Sequence, residues 1–213
     1  MLTVHHLNQS RSHRILWQLE ELQLPYDVKY YQRDLHTNLA PLELKKIHPL
    51  GKSPVVTDVD GTVVAESGAI IDYIVRRHGG GRMQPAPSSP LFDQYVQWLH
   101  YAEGSVALPL VMKATVQRLG SVLGHGRSIA PLARHVEEEL AGHLGYVEAA
   151  LRGKSYLLGD QCYAADIQLS FIGEQAARVV EMSKYPNLAA WLHRLQTRPA
   201  YQAALERAEA LAS

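Results

Sequence analysis

The chain has 213 residues, 46% of them hydrophobic and 20% charged, and its formal charges cancel. That balance excludes a disordered chain, and no apolar stretch approaches the roughly 20 residues of a membrane span. A net charge of zero provides no long-range field for nucleic acid or an anionic membrane.

The opening residues MLTVHHLNQSRSH lack the basic start, apolar centre and cleavage site of a secretory leader. Residues 2–7 read as a strand, and a polar break at 8–12 precedes Ile15, Leu16, Leu19 and Leu22, which recur at helical spacing. Pro25 stops that helix, and residues 26–31 (YDVKYY) are a second strand. Strand, helix, strand opens an α/β unit, because parallel strands need a crossover. Residues 41–47 predict a short helix, and 48–54 hold too many breakers for regular structure. Two β-rich runs, 55–58 and 62–65, flank Asp60-Gly61 and predict an antiparallel hairpin. Ser67 then starts a helix with Ala69, Ile70, Ile71, Ile74 and Val75 on one side. This βαβ–ββα order is thioredoxin-like.

Gly79 to Gly81 and the Pro/Ser segment to Pro90 mark a boundary. Helices are predicted over about 90–118, 128–152, 166–181, 187–197 and 200–211, joined by glycine-rich 120–126 and by 153–165. The expected fold is therefore α/β plus all-α: a thioredoxin-like domain over 1–80, a linker over 81–89 and a helical bundle over 90–213.

The lone cysteine, Cys162, excludes an internal disulfide and fits a reducing, cytoplasmic setting. The eleven histidines are scattered without ligand spacing, so no metal is expected. His78-Gly79-Gly80-Gly81 resembles an oxyanion-hole motif but has no G-x-S-x-G partner, and reads as linker.

Three places could carry chemistry. The turn Asn8-Gln9-Ser10-Arg11 enters a helix, where free N–H groups and a hydroxyl could steady a thiolate or merely cap the helix. At Lys52-Ser53-Pro54-Val55, a proline ahead of a strand can be cis and leave a backbone edge for a peptide, with Lys52 a charge for a carboxylate. At Glu66-Ser67, a helix start can hold a carboxylate while Glu66 accepts from an ammonium. Together they fit a small zwitterionic thiol peptide: sulfur, backbone, amino-acid end.

The residues in these places resemble the glutathione S-transferase family. Ser10 to Leu22 looks like that family's first helix, and Ile47-His48-Pro49-Leu50-Gly51-Lys52-Ser53-Pro54 like its NP-x-G-x-x-P loop, with His48 for the usual asparagine. Ala65 to Ile70 is similar to its E-S-x-A-I helix start. Gly159-Asp160 and Ala164-Ala165-Asp166-Ile167 resemble the G-D-x-x-(S/T)-x-A-D-I capping segment, with Tyr163 where a hydroxyl residue is usual. Within the family the chain is most similar to fungal and bacterial transferases of uncertain class.

The resemblance implies an enzyme that uses glutathione as co-substrate. Glu66 and Ser67 would hold the γ-glutamyl end, Val55 the cysteinyl backbone beside a cis Pro54, and Lys52 with Ser53 the region of the glycyl carboxylate. Many relatives place the catalytic residue five positions before the arginine matched by Arg14, which here is Gln9. Ser10 is therefore expected to face sulfur, with Asn8 its rival and Arg11 an electrostatic helper. Tyr101, Glu103, Leu108 and Met112 are expected near a hydrophobic electrophile, while Trp98, Leu99, Ala102 and Val106 read as core. The resemblance also implies a homodimer. A disulfide reductase using glutathione as its thiol, and a non-catalytic ligand-binding member, are the alternative readings. A C-x-x-C oxidoreductase is excluded, because no cysteine lies at the first turn.

Overall fold

The computed structural model describes residues 1–123 and 129–209. Four strands form one sheet in the order β2-β1-β3-β4. β1 (Leu2–Leu7) and β2 (Tyr26–Tyr31) run parallel, with Val4 opposite Val28, and α1 (His13–Glu21) makes the crossover. β3 (Val55–Thr57) pairs antiparallel with β1, placing Val56 opposite Val4, and β4 (Val63–Ala65) returns antiparallel to β3. Between β3 and β4, Gly61 takes a φ of 83°, the left-handed conformation a turn of this kind requires. α2 (Leu44–Ile47) is a single turn, and α3 (Ser67–Arg77) packs on the sheet and on α1.

Both faces of the sheet are covered. Val4, Val55, Val56, Ile15, Leu16, Leu19, Ile70 and Ile74 are all fully or almost fully buried, and Leu7 packs with Tyr31 and Leu44. α1 also buries two polar side chains four residues apart, Arg14 and Gln18. Gln18 Nε2 donates to the Ile71 carbonyl at 2.9 Å.

By contacts the chain divides into two compact units, 1–89 with 195–213, and 90–194. This differs from the sequence expectation, which grouped everything from residue 90 onward. The last helix, α9 (Pro199–Glu209), packs against α1 of the first unit. Tyr201 meets Trp17 and His13 edge-on at 5.2 and 4.7 Å between ring centroids. Arg198 forks onto both carboxylate oxygens of Glu21, and Glu21 also accepts from Trp17 Nε1 at 2.9 Å. Periodicity shows that a helix has an inner face but not which body that face meets.

The second unit is helical. The stretch predicted as one helix over 90–118 is α4 (Phe92–Tyr101), a five-residue π turn at Ala102–Val106, and α5 (Ala107–Leu123). Pro109 accounts for the break: it has no N–H for the Ser105 carbonyl, and its ring crowds that position. α5 carries Gly120 within it, so the connector begins later than predicted. The rest of the expected 120–126 linker, residues 124–128, lies outside the described residues, as do 210 and 211 of the last predicted helix. α6 (Ala130–Ala150) packs on α5, and α7 (Ala164–Val179) on α4. α8 (Pro186–Gln196) begins at Pro186, and its Trp191 is buried.

At the start of α7, Asp166 is fully buried. It accepts from the Tyr163 and Leu157 backbone N–H groups at 3.0 Å each and from Trp191 Nε1 at 2.9 Å. The Tyr163 phenol turns instead to Gln161, so the acid half of the cap carries the helix start. Among the described residues no helix is long and apolar enough to cross a membrane.

Candidate active site

The turn after β1 is fixed from β2. The Asn8 side-chain oxygen accepts the Arg33 backbone N–H at 2.8 Å, and its carbonyl accepts Arg33 Nε at 3.2 Å. Asn8 thus braces the turn with its oxygen occupied. Gln9 is exposed, with a φ of 52°, and gives its carbonyl to Arg33 Nη2 at 3.4 Å. That kink lifts the chain so that Ser10, half-buried, lies over the start of β3.

Ser10 Oγ accepts from the Ser12 backbone N–H at 3.2 Å, the bond of a capping residue. It also lies 2.7 Å from Ser12 Oγ and 3.3 Å from Ser53 Oγ. Ser53 in turn donates to the His5 carbonyl at 2.9 Å. Arg11 is half-buried, one residue further into the helical turn.

The Ser53–Pro54 peptide bond is cis, Pro54 is buried, and Lys52 is exposed. One expectation needs correcting here. β3 is an inner strand, and Val55 lies opposite both His5 of β1 and Ala65 of β4. The strand therefore offers no open edge along its length, and only its first residues, at the cis bond, can meet a ligand.

Glu66 is exposed and takes a φ of 72° and ψ of 120°, outside the usual regions for a side-chain-bearing residue. A strained residue held in place by its surroundings is a recurring mark of a binding site. Next to it, Ser67 is buried at the first position of α3 and accepts from Arg14 Nη2 at 3.0 Å. Arg14 thereby links the first helix to the third, 53 residues on. Sequence reasoning used Arg14 only as an alignment landmark; its spacing of four from Gln18 was the available sign of an inward polar face. His6 and Ser12, both buried, were also missed.

In the helical unit, the Tyr101 hydroxyl lies 2.7 Å from His143 Nδ1 and 3.2 Å from the His143 carbonyl oxygen. Its ring joins Trp98 and Tyr146, with centroids 5.3 Å from each. Burial, with the Tyr146 phenol near, pushes its ionisation upward, so it stays a neutral phenol. Glu103 is half-buried in the π turn, Leu108 is exposed and Met112 half-buried, whereas Trp98, Leu99, Ala102 and Val106 are buried. A cavity of about 310 Å³ lies between α5 and α6, lined by Lys113, Val116, Ala133, Val136 and Glu137 among others. None of the predicted site residues lines it.

A βαβ–ββα sheet with a cis proline opposite the first helix tip defines a thioredoxin-like protein. The helical unit and the helix start at Ser67 narrow the class further. Residues 10–77 match the model of the glutathione S-transferase N-terminal domain, and residues 106–199 that of the C-terminal domain. Glutathione S-transferase 3 of Schizosaccharomyces pombe is 32% identical over 98% of this chain and 88% of that protein. Glutathione S-transferase 1 of Saccharomyces cerevisiae is 31% identical over 100% and 97%. A solved glutathione S-transferase from Actinobacillus pleuropneumoniae superposes with a TM-score of 0.85 at 35% identity, covering 98% of this chain and 93% of that one. The chain belongs to the glutathione S-transferase family.

Proposed function

We propose that this glutathione transferase binds the tripeptide within its first unit and directs the thiolate at a hydrophobic electrophile. In this reading Ser67 and the N–H groups of α3 take the γ-glutamyl carboxylate, Glu66 its ammonium, and Val55 the cysteinyl backbone beside Pro54. Lys52 approaches the glycyl carboxylate. Ser10 faces sulfur and donates to the thiolate, and Arg11 adds positive charge. Tyr101 and Glu103 are assigned to the electrophile, for which peroxides are a second class. The proposed setting is cytoplasmic, as a homodimer, in detoxification.

One observation carries this reading. Ser10 is hydrogen-bonded to Ser53 at the cis bond to Pro54, and Arg14 of α1 donates to Ser67 at the start of α3. At neutral pH each unit by which the thiol pKa falls raises the thiolate fraction about tenfold, while most of it is still protonated.

Calorimetry with glutathione and the thioether S-methylglutathione tests binding, and turnover of an aryl halide and of an organic peroxide tests chemistry. Ser10→Ala is expected to retain affinity for S-methylglutathione and to lose about tenfold or more in kcat/KM. Ser67→Ala is expected to weaken glutathione binding about tenfold, on the order of 1.4 kcal/mol, through a lost carboxylate partner. No heat at millimolar glutathione with folded protein would refute the assignment. The contacts already made by Ser10 favour one other reading, a binding module. Tight glutathione binding with no turnover of either substrate would establish it.

A further inference from the structure

Behind Ser10 the hydrogen bonds continue into the core. Ser12 Oγ, 2.7 Å from Ser10 Oγ, is also 3.0 Å from His6 Nδ1, and Ser12 and His6 are both buried. The His6 ring sits edge-on to Tyr30 at 5.7 Å, which fixes its plane. Burial holds its pKa down at about 4, so near neutrality it has one ring hydrogen.

A hydroxyl has a single hydrogen, so the directions along this chain are coupled. If Ser12 gives its hydrogen to His6 Nδ1, the 2.7 Å contact must be filled by the Ser10 hydrogen, and none is left for a ligand. If His6 Nδ1 carries the hydrogen, Ser12 gives its own to Ser10, and the Ser10 hydrogen can turn to a ligand in preference to the longer contact with Ser53 Oγ at 3.3 Å. The only other acceptor near Ser12 Oγ among these bonds is the Leu7 carbonyl, more distant at 3.4 Å. Donors in series also polarise one another toward an anion at the end.

We propose that His6 is a positioning residue for thiol activation: as its Nδ1–H tautomer it donates to Ser12, which donates to Ser10, which donates to sulfur. The proposal rests on Ser10 being the sulfur partner. No proton moves along the chain; the thiol proton leaves to water, and the three donors only stabilise the thiolate.

The test uses the whole protein, with histidine ring nitrogens labelled for NMR. In the glutathione complex the His6 hydrogen is expected on Nδ1; finding it on Nε2 overturns the proposal. His6→Phe removes the terminal donor, and His6→Asn returns an N–H near the Nδ1 position. His6→Phe should raise the pKa of the bound thiol by about half a unit to one unit, leaving three- to tenfold less thiolate below that pKa. It should leave S-methylglutathione affinity unchanged, and His6→Asn should recover most of the loss. If His6→Phe does not fold, Ser12→Ala cuts the same chain. Should Ser10→Ala shift the thiol pKa while the His6 and Ser12 variants do not, only the chain is refuted. Should Ser10→Ala leave it unmoved, the Ser10 assignment falls and the chain with it.

Discussion

Asp166→Ala is expected to cost about 3–5 kcal/mol, a large loss for a single substitution. The carboxylate has no exposure and accepts three N–H groups: Tyr163, Leu157 and the Trp191 indole. Its removal leaves each donor inside the protein without that acceptor, and buried N–H groups stripped of partners cost about 1–3 kcal/mol each. It also deletes the acid of the cap on α7, where the Tyr163 phenol offers no substitute. Asp166→Asn keeps an oxygen and should lose less. Urea unfolding of both variants gives the comparison; a change under 1 kcal/mol for the alanine variant would sink the account.

Mild acid should destabilise the first unit well before carboxylates protonate. Burial lowers the pKa of His6 to about 4. His13 is held at about 4 as well, by burial first and then by the charges of His6 and Arg14. His5 is lowered in the same direction, by burial and by Lys29. Unfolding returns these rings to the ordinary value near 6.5, so between about pH 6.5 and 4 the unfolded chain binds more protons than the native one. Stability is therefore full above neutrality and falls as pH drops through that window, by something on the order of 5 kcal/mol for His6 and His13 together. Asp58 titrates lower. Burial opposes its charge, but Tyr73, the Val59 N–H and His78 outweigh that and hold it at about 2. Thermal melts should show a fall of roughly 10 °C between pH 7 and pH 5. A flat profile over that range would refute the assignment of neutral buried rings.

The sheet was readable because its signals are local. Short β-prone runs bounded by breakers marked β1 and β2, Asp60-Gly61 marked the hairpin, and the apolar spacing in α1 and α3 marked the crossover and the closing helix. Pro109 was visible, yet a proline near a helix start can equally be tolerated, so the π turn did not follow from it. Of the candidate site, the cis bond at Ser53–Pro54 and the helix start at Ser67 were legible, because the residues that make them adjoin in sequence. It was not legible where the contact spans the chain: Ser10 to Ser53, Arg14 to Ser67, and His6 through Ser12. Whether β3 lies inside the sheet or at its margin depends on strand order, which no short motif encodes. The side on which α9 docks was hidden for a similar reason.

The docking of α9 means that no single cut in the gene isolates the sheet. A fragment stopping near residue 89 would leave Trp17 facing water, with Glu21 missing its arginine clamp, and would tend to clump or be digested. Anyone wishing to express the first unit alone must splice residues 195–213 back onto it through a designed tether.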